Sequence, residues 1–512
     1  MPAIPFHRRY LTLVEHIERH FPVAQWIMDD VALWPMARMD LYLDMYWANV
    51  GGKLPARLPW PLRALSAAAT PLKNIWKSRS DLSHWVVRPS PADAIFLGDG
   101  VSLDFVDGAW QDRYCEPVIR ALEDRGMSTF LMQSGELARL PWHRPTFSAN
   151  VVSLHGRLKA FGSVEAPELP EHERVIDFLA AQGVCAPSCS RVNLLRQANR
   201  VSMTARVFQN VLRRVKPKLA FVVTYYAGMG PAFMLACRRE RILSIDLQHC
   251  PKEGSHKAYG WHALPKNGYA TLPAVFWNWT QRDTADIQHW AGTLALPWHR
   301  SLHGGHTQLS PYLDDSVAPT RSGDDKFAAL TRRTTFEREI LVALQSVGGY
   351  RERWEALAAQ IEAAPMTWRW WIRRHPASFE DAEFKSLVSL RRPNVLIEES
   401  SMLPLPALLR HMSVIVSRFS GASAEAAFFG VPAIFISEEA RGQFSDLIDR
   451  GFAAVVEIEA LNAAIAAIPA VPVRPPTTSA PVPVVGQTLA RLMEMARDYS
   501  GLFSTDPRRE FP

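Results

Sequence analysis

Apolar residues recur along this chain in two rhythms, and the change from one to the other near residue 91 divides it. Through Leu11, Val14 and Ile17, and again through Leu33, Met36, Met39, Leu41 and Tyr42, they fall at helical spacing. Residues 1–90 therefore read as a helical and irregular N-terminal region. From Asp93 onward, short apolar runs bounded by polar turns alternate with helical stretches. The pattern predicts strands at Ala94–Leu97, Thr129–Met132, Leu219–Thr224 and Ile242–Leu247. Between them it predicts helices at Cys115–Arg125, closed by Gly126, at Val201–Val215 and at Pro231–Glu240. Strands separated by helices call for a parallel sheet covered on its faces, so residues 91–309 form a first Rossmann-like domain.

The segment 310–326 has linker composition without periodicity, holding Pro311, Asp314, Asp315, Pro319, Ser322, Gly323, Asp324 and Asp325. Beyond it the alternation resumes. Strands are expected at Ile340–Leu344, Trp370–Ile372, Val414–Val416 and Ala433–Ile436, with a helix at Tyr350–Ala363, giving a second α/β domain over 327–460. Residues 461–512 combine an Ala/Pro/Val-rich stretch, with six prolines between Pro469 and Pro483, and a closing helix at Thr488–Tyr499. No solenoid-type repeat interrupts this order.

Composition narrows the class. The 512 residues exceed what one hydrophobic core supports, and 48% hydrophobic with 21% charged residues is the balance of an ordinary globular chain. The net charge of +6 is modest and no Lys/Arg block of nucleic-acid type occurs, so no nucleic-acid partner is expected. Between Lys53 and Lys77, the cations Arg57, Arg63 and Lys73 alternate with Trp60, Leu62, Leu65 and Trp76. This reads either as a face lying on anionic lipid headgroups or as a basic solvated surface over buried aromatics. Five scattered cysteines, an odd number, together with an amino terminus lacking signal-peptide order, point to free thiols in a reducing compartment. No apolar run is long enough to span a bilayer. The expected location is cytoplasmic, with peripheral contact on the inner face of the plasma membrane as the alternative.

Two segments carry the candidate chemistry. Arg373, Arg374, His375 and Pro376 follow the apolar, tryptophan-rich run Trp368–Ile372, so the cation and the imidazole should emerge at a strand's carboxyl end. Ser417 through Pro432 leaves the strand Val414–Val416, passes through Ser420, Gly421 and Ser423, and enters a helix that carries Glu425. Strand, Ser/Gly turn and helix start should make an anion cradle of free backbone N–H groups and hydroxyls. Each of the three serines reads equally as a phosphate donor or as a cap. In the first domain, Gln248 and His249 end what reads as its last strand, with His256 and Tyr259 downstream, while Asp99 and Asp107 each precede a glycine after the first strand. His299, His303 and His306 are irregularly spaced and do not read as metal ligands. No paired-carboxylate pattern sits at a strand end, so no metal is expected.

Asp246-Leu247-Gln248-His249, Arg374-His375-Pro376 and Ser417 through Pro432 together resemble GT-B glycosyltransferases of bacterial capsule, lipopolysaccharide and exopolysaccharide assembly. The last two motifs are also similar to those of sialyl- and Kdo-transferases using CMP-sugars and of teichoic-acid glycerophosphotransferases using CDP-glycerol. Cys250 departs from the glycine usual after the Gln-His pair. The resemblance implies an α/β GT-B fold, with two Rossmann-like domains facing across a cleft. The first domain would take a glycan or lipid-linked glycan acceptor, and the second a CMP- or NDP-linked sugar that serves as co-substrate rather than as a cofactor. It further implies that Arg374, His375, Ser417, Ser420, Ser423 and Glu425 hold the donor. His249, Asp107 or Asp99 would supply catalysis, and Gln248, His256 and Tyr259 would line the acceptor side. A CDP-polyol glycerophosphotransferase and a non-catalytic polysaccharide-assembly protein remain the alternatives.

Overall fold

The computed structural model describes residues 6–49, 69, 72, 88–106, 108–134, 142–160, 167–251, 256–313, 321–331, 336–345, 351–375, 384–469 and 485–503. Asp107, nearly all of Lys53–Lys77 and most of Pro469–Pro483 lie outside these residues. Packing divides the chain into two compact units. One holds residues 1–102, 112–307 and 483–512, and the other holds residues 103–111 and 308–482.

The first unit is built on seven parallel strands: β1 (Ala94–Gly98), β2 (Thr129–Gln133), β3 (Phe147–Ser148), β4 (Leu219–Val223), β5 (Leu243–Leu247), β6 (Val275–Asn278) and β7 (Arg300–His303). Their order across the sheet is β7-β6-β5-β4-β1-β2-β3. β1 and β5 are buried along their whole length, as strands covered by helices on both faces must be. The strand ending before Gln248 and His249 is therefore not the last of its domain. β6 and β7 follow it, and the sequence reading missed them because the run Val275–Asn278 is short and Arg300–His303 is largely polar. The long helix Arg191–Val215, starting ten residues earlier than expected, packs on Gly230–Arg239 and on Asn150–Lys159. The closing helix Val485–Leu502 belongs to this unit and buries Leu489, Leu492 and Tyr499.

The N-terminal helices Phe6–His20 and Trp34–Asn49 share one core with this sheet, because Tyr10, Ile17, Trp26, Trp34 and Leu41 pack in continuity with Ile95, Leu97 and Val222. A buried ion pair fastens the layer. Glu18 accepts from Arg38 and Trp34 at 2.8 Å each, and its second oxygen accepts from the His262 backbone N–H at 2.7 Å. The Arg38 guanidinium lies 4.3 Å from the Trp261 ring centre, which adds a cation–π contact to the pair.

The second unit carries six parallel strands: β8 (Arg338–Ala343), β9 (Trp368–Arg373), β10 (Val395–Leu396), β11 (Val414–Ser417), β12 (Ala433–Phe435) and β13 (Ala453–Val455), in the order β10-β9-β8-β11-β12-β13. The hairpin Leu103–Val106/Ala109–Asp112 has all but its last residue in this unit, where Asp104 accepts from Gln308 at 3.0 Å. The 310–326 segment is less irregular than its composition suggests. Helices occupy Ser310–Leu313 and Arg321–Thr331, the second anchored where Phe327 stacks on His411 at 4.0 Å and on Trp371 at 5.1 Å. Tertiary packing of one aromatic has overridden a run of Gly and Asp. Two Rossmann-like parallel sheets, the composition of the GT-B class, are the fold expected from the sequence. No described helix is long and apolar enough to cross a membrane.

Candidate functional site

In each sheet the strand order reads 3-2-1-4-5-6 from the third strand of its unit, so connections leave the first and fourth strands in opposite directions and open a crevice at their carboxyl ends. In the first unit that point lies between β1 and β4, and in the second between β8 and β11. Most of the polar residues singled out in the sequence collect near these two places.

At the first, Gly98 and Asp99 follow β1. Asp99 turns its carboxylate onto the loop itself, accepting from the Val101 and Ser102 N–H groups at 2.9 and 2.8 Å and from the Ser102 hydroxyl at 3.0 Å. Behind it stands Asp112, which the sequence reading missed. One oxygen accepts from the N–H groups of Tyr114 and Cys115 at 3.0 and 2.9 Å, where the helix Cys115–Glu123 begins, and the other accepts from Gln133 Nε2 at 2.6 Å. Gln133 ends β2 and returns its Oε1 to the Gly100 N–H at 3.1 Å. Burial pushes the Asp112 carboxyl up, and the charge of Asp99 adds to it, to about 6. Gly98 is fixed by this arrangement, since a Cβ there would lie 2.2–2.4 Å from Gln133 and Asp112. An Asp placed three residues ahead of a helix is the one signal that pointed to Asp112.

Across the crevice, Thr224 follows β4 with φ +64°, a left-handed conformation that costs a β-branched residue of order 1–3 kcal/mol. His249 Nε2 lies 3.4 Å from the Thr224 hydroxyl and 3.2 Å from the Tyr226 hydroxyl, and the His249 carbonyl accepts from the Tyr114 hydroxyl at 3.0 Å. Burial alone would lower the His249 imidazole. The charge and hydrogen bond of Cys250, then Asp246 and Asp99, overcome it and raise the group to about 9. His249 is thus an imidazolium at neutral pH. Gln248 and Tyr259 are buried fasteners. Gln248 bonds Asp283, the Cys250 carbonyl and the Trp279 N–H, and Tyr259 donates to Asp246 at 3.0 Å. His256 stays half-buried beside Cys250.

At the second point the anion cradle takes a different form from the one expected. Ser417 and Ser423 are buried and share a hydrogen bond of 3.0 Å. The N–H groups expected to be free are engaged: Phe419 donates to Gln345 Oε1 at 2.9 Å, Ser420 to Ser417 Oγ at 3.2 Å, and Ala422 to Ser420 Oγ at 3.3 Å. Side-chain oxygens are the natural partners of amides in so tight a turn. Ser420 remains the half-buried hydroxyl of the turn, and Glu425 is buried in the short helix Ala422–Phe428. His375 and Arg374 leave β9, next to β8. Both are half-buried, and Arg374 pairs with the exposed Glu398 at 2.9 Å. Arg373, by contrast, is buried and donates to the carbonyls of Ser400 and Leu403. Arg418, not singled out in the sequence, is almost fully buried and lies 3.9 Å from Glu439. His299 and His306 are buried and His303 ends β7. Among the described residues, no group of three or more His, Cys, Asp or Glu is arranged to hold a metal.

No family model matches the chain, and no curated protein matches it closely. Solved structures similar to it include the UDP-GlcNAc 2-epimerase of Methanocaldococcus jannaschii in complex with UDP-GlcNAc and UDP, at 13% identity, covering 78% of this chain and 99% of that one with a TM-score of 0.47. The UDP-GlcNAc 2-epimerase of Neisseria meningitidis bound to UDP-GlcNAc matches at 14% identity, 79% and 99% coverage and a TM-score of 0.47. The glycosyltransferase SnogD from Streptomyces nogalater matches at 13% identity, 81% and 100% coverage and a TM-score of 0.40. At such low identity and superposition, the chemistry has to be argued from this chain's own residues.

Proposed function

We propose that the chain is a nucleotide-sugar glycosyltransferase. Its second unit binds a CMP- or NDP-linked sugar at the crevice beside β8, and its first unit presents the acceptor, a surface polysaccharide or a lipid-linked glycan. The observation that carries this proposal is the gathering of polar side chains at the topological switch point of each parallel sheet, where open α/β sheets bind their ligands. Transfer needs a base for the acceptor hydroxyl and groups that take up negative charge on the leaving phosphate. We assign the first task to Asp99, the half-buried carboxylate after β1 with Asp112 behind it, whose oxygens also accept from the Val101 and Ser102 groups of its own loop. His249, positively charged at neutral pH, suits orientation of the acceptor or stabilisation of charge and does not suit a base. In the second unit, His375, Arg374 and Ser420 are the half-buried donors for phosphate oxygens, and Ser417 and Ser423 hold the turn that presents them.

A thermal-shift series with CMP, CDP, UDP, GDP and dTDP tests the proposal. One nucleotide class should raise the melting temperature, since a ligand at about a hundred times its dissociation constant stabilises by about 2.7 kcal/mol. No shift with any of the five would contradict a nucleotide-sugar enzyme.

A further inference from the structure

Between the N-terminal helix Trp34–Asn49 and the loops that follow β4 and β5, the first unit encloses a narrow pocket walled by Met36, Met39, Tyr226, Trp261 and Leu272. Most of the wall is apolar or aromatic. The two tyrosine hydroxyls on it are already engaged, that of Tyr225 with the Ala258 carbonyl and that of Tyr226 with His249 Nε2 at 3.2 Å. Thr271 and Lys257, which also line the pocket, are placed differently. Thr271 is 2% exposed, and its hydroxyl has no hydrogen-bond partner among the described residues. A buried polar group so placed has given up the hydrogen bonds it made in water and gained none. Lys257 is half-buried with its ammonium 4.2 Å from the Tyr42 ring centre, and no described carboxylate pairs with it. A cation withdrawn from water without a counter-ion attracts an anion more strongly than a lysine on open surface does.

We propose that this pocket binds an anionic amphiphile, an unbranched hydrocarbon chain against Met36, Met39, Trp261 and Leu272 with a phosphate or carboxylate head between Lys257 and Thr271. The ammonium pairs with the head, and the Thr271 hydroxyl donates to one of its oxygens, so both polar groups gain the partner that the fold does not give them. The narrow space suits an unbranched chain rather than a ring. Two methionines, each with three rotatable bonds, form the part of the wall that yields to its length. Every methylene taken out of water adds to affinity, so the chain contributes in proportion to its length. The proposal goes beyond the transferase reading and does not rest on it, because the pocket lies wholly in the first unit and the nucleotide is assigned to the second.

Calorimetric titration of the full-length protein with hexyl phosphate, hexanoate, hexanol and inorganic phosphate tests it. One of the two anionic hexyl compounds should bind on the order of tenfold or more tighter than hexanol, and inorganic phosphate should not bind. The tighter of the two identifies the head as a phosphate or a carboxylate. Its butyl homologue should bind on the order of tenfold more weakly, for the loss of two methylenes. Lys257→Gln should bring the anion down to the affinity of hexanol and leave hexanol unchanged, and Lys257→Arg should restore most of the difference. Thr271→Val should weaken the anion several-fold. Hexanol binding as tightly as both anions, an affinity that ignores chain length, or a Lys257→Gln protein that binds the anion as wild type does would each overturn the proposal. So would binding by none of the four, which leaves the pocket a solvent site. The comparisons of head group and chain length use the wild-type protein and decide the matter even if a variant fails to fold.

Discussion

His375 and Asp112 lie at opposite ends of what single residues reveal in this chain. His375 was legible in the sequence because it leaves a buried strand in front of a proline, and it stands half-buried at the end of β9. If it meets the donor phosphate, His375→Ala removes a hydrogen bond that strengthens as the leaving group gains charge. The expected loss is roughly 2.7–4 kcal/mol, on the order of a hundred- to a thousandfold in turnover, with the melting temperature unchanged. Early melting with specific activity retained would make His375 structural. Asp112 was not legible, because its role depends on Gln133 and on a helix start that only the fold brings to it. Its folded-state value of about 6 lies above the ordinary carboxylate value. The native state therefore holds this proton more tightly than the unfolded chain does. Its contribution to stability is greatest below about pH 4 and is lost as pH rises through 6. Relative to wild type, Asp112→Asn should gain in melting temperature between pH 4.5 and 7.5. A difference that stays constant or runs the other way would show that the Asp112 charge is well accommodated.

At the scale of elements, the buried strands were read closely. Ala94–Leu97 was expected and Ala94–Gly98 is found, and Val414–Val416 extends only to Ser417. Continuous apolar runs between turn residues leave little choice in a doubly covered sheet. Two misses, β7 and the helix Arg321–Thr331, are elements whose apolar residues are few and which form because of what they pack against, whereas the apolar strand β6 was missed because it is short. The amide-rich cradle after β11 failed for another reason. Its hydroxyls turn inward, onto the amides they were expected to stand beside. The N-terminal helices were expected as a layer, but the buried Glu18–Arg38 pair that ties them to the His262 loop could not be read from residues so far apart. Glu18→Ala strands the Arg38 guanidinium in the core and should cost roughly 3–5 kcal/mol. Denaturant unfolding of the variant measures this, and a loss under about 1 kcal/mol would mean that water reaches Arg38 in the native protein.

For the whole molecule, the division into two parallel-sheet units was legible because the alternation of apolar runs and helices survives any single misplaced boundary. The hairpin Leu103–Val106/Ala109–Asp112 was not, since it follows β1 in the chain yet lies mostly in the second unit. The central claim is that a nucleotide-sugar occupies the switch point of the second sheet. Hydrogen–deuterium exchange in the presence of the nucleotide that most raises the melting temperature tests this most directly. Protection should concentrate in the peptides covering 373–375 and 417–425, the residues that leave β9 and β11, with the far edge of that sheet at 453–455 unchanged. Protection confined to other segments, or none with any of the five nucleotides, would contradict the claim.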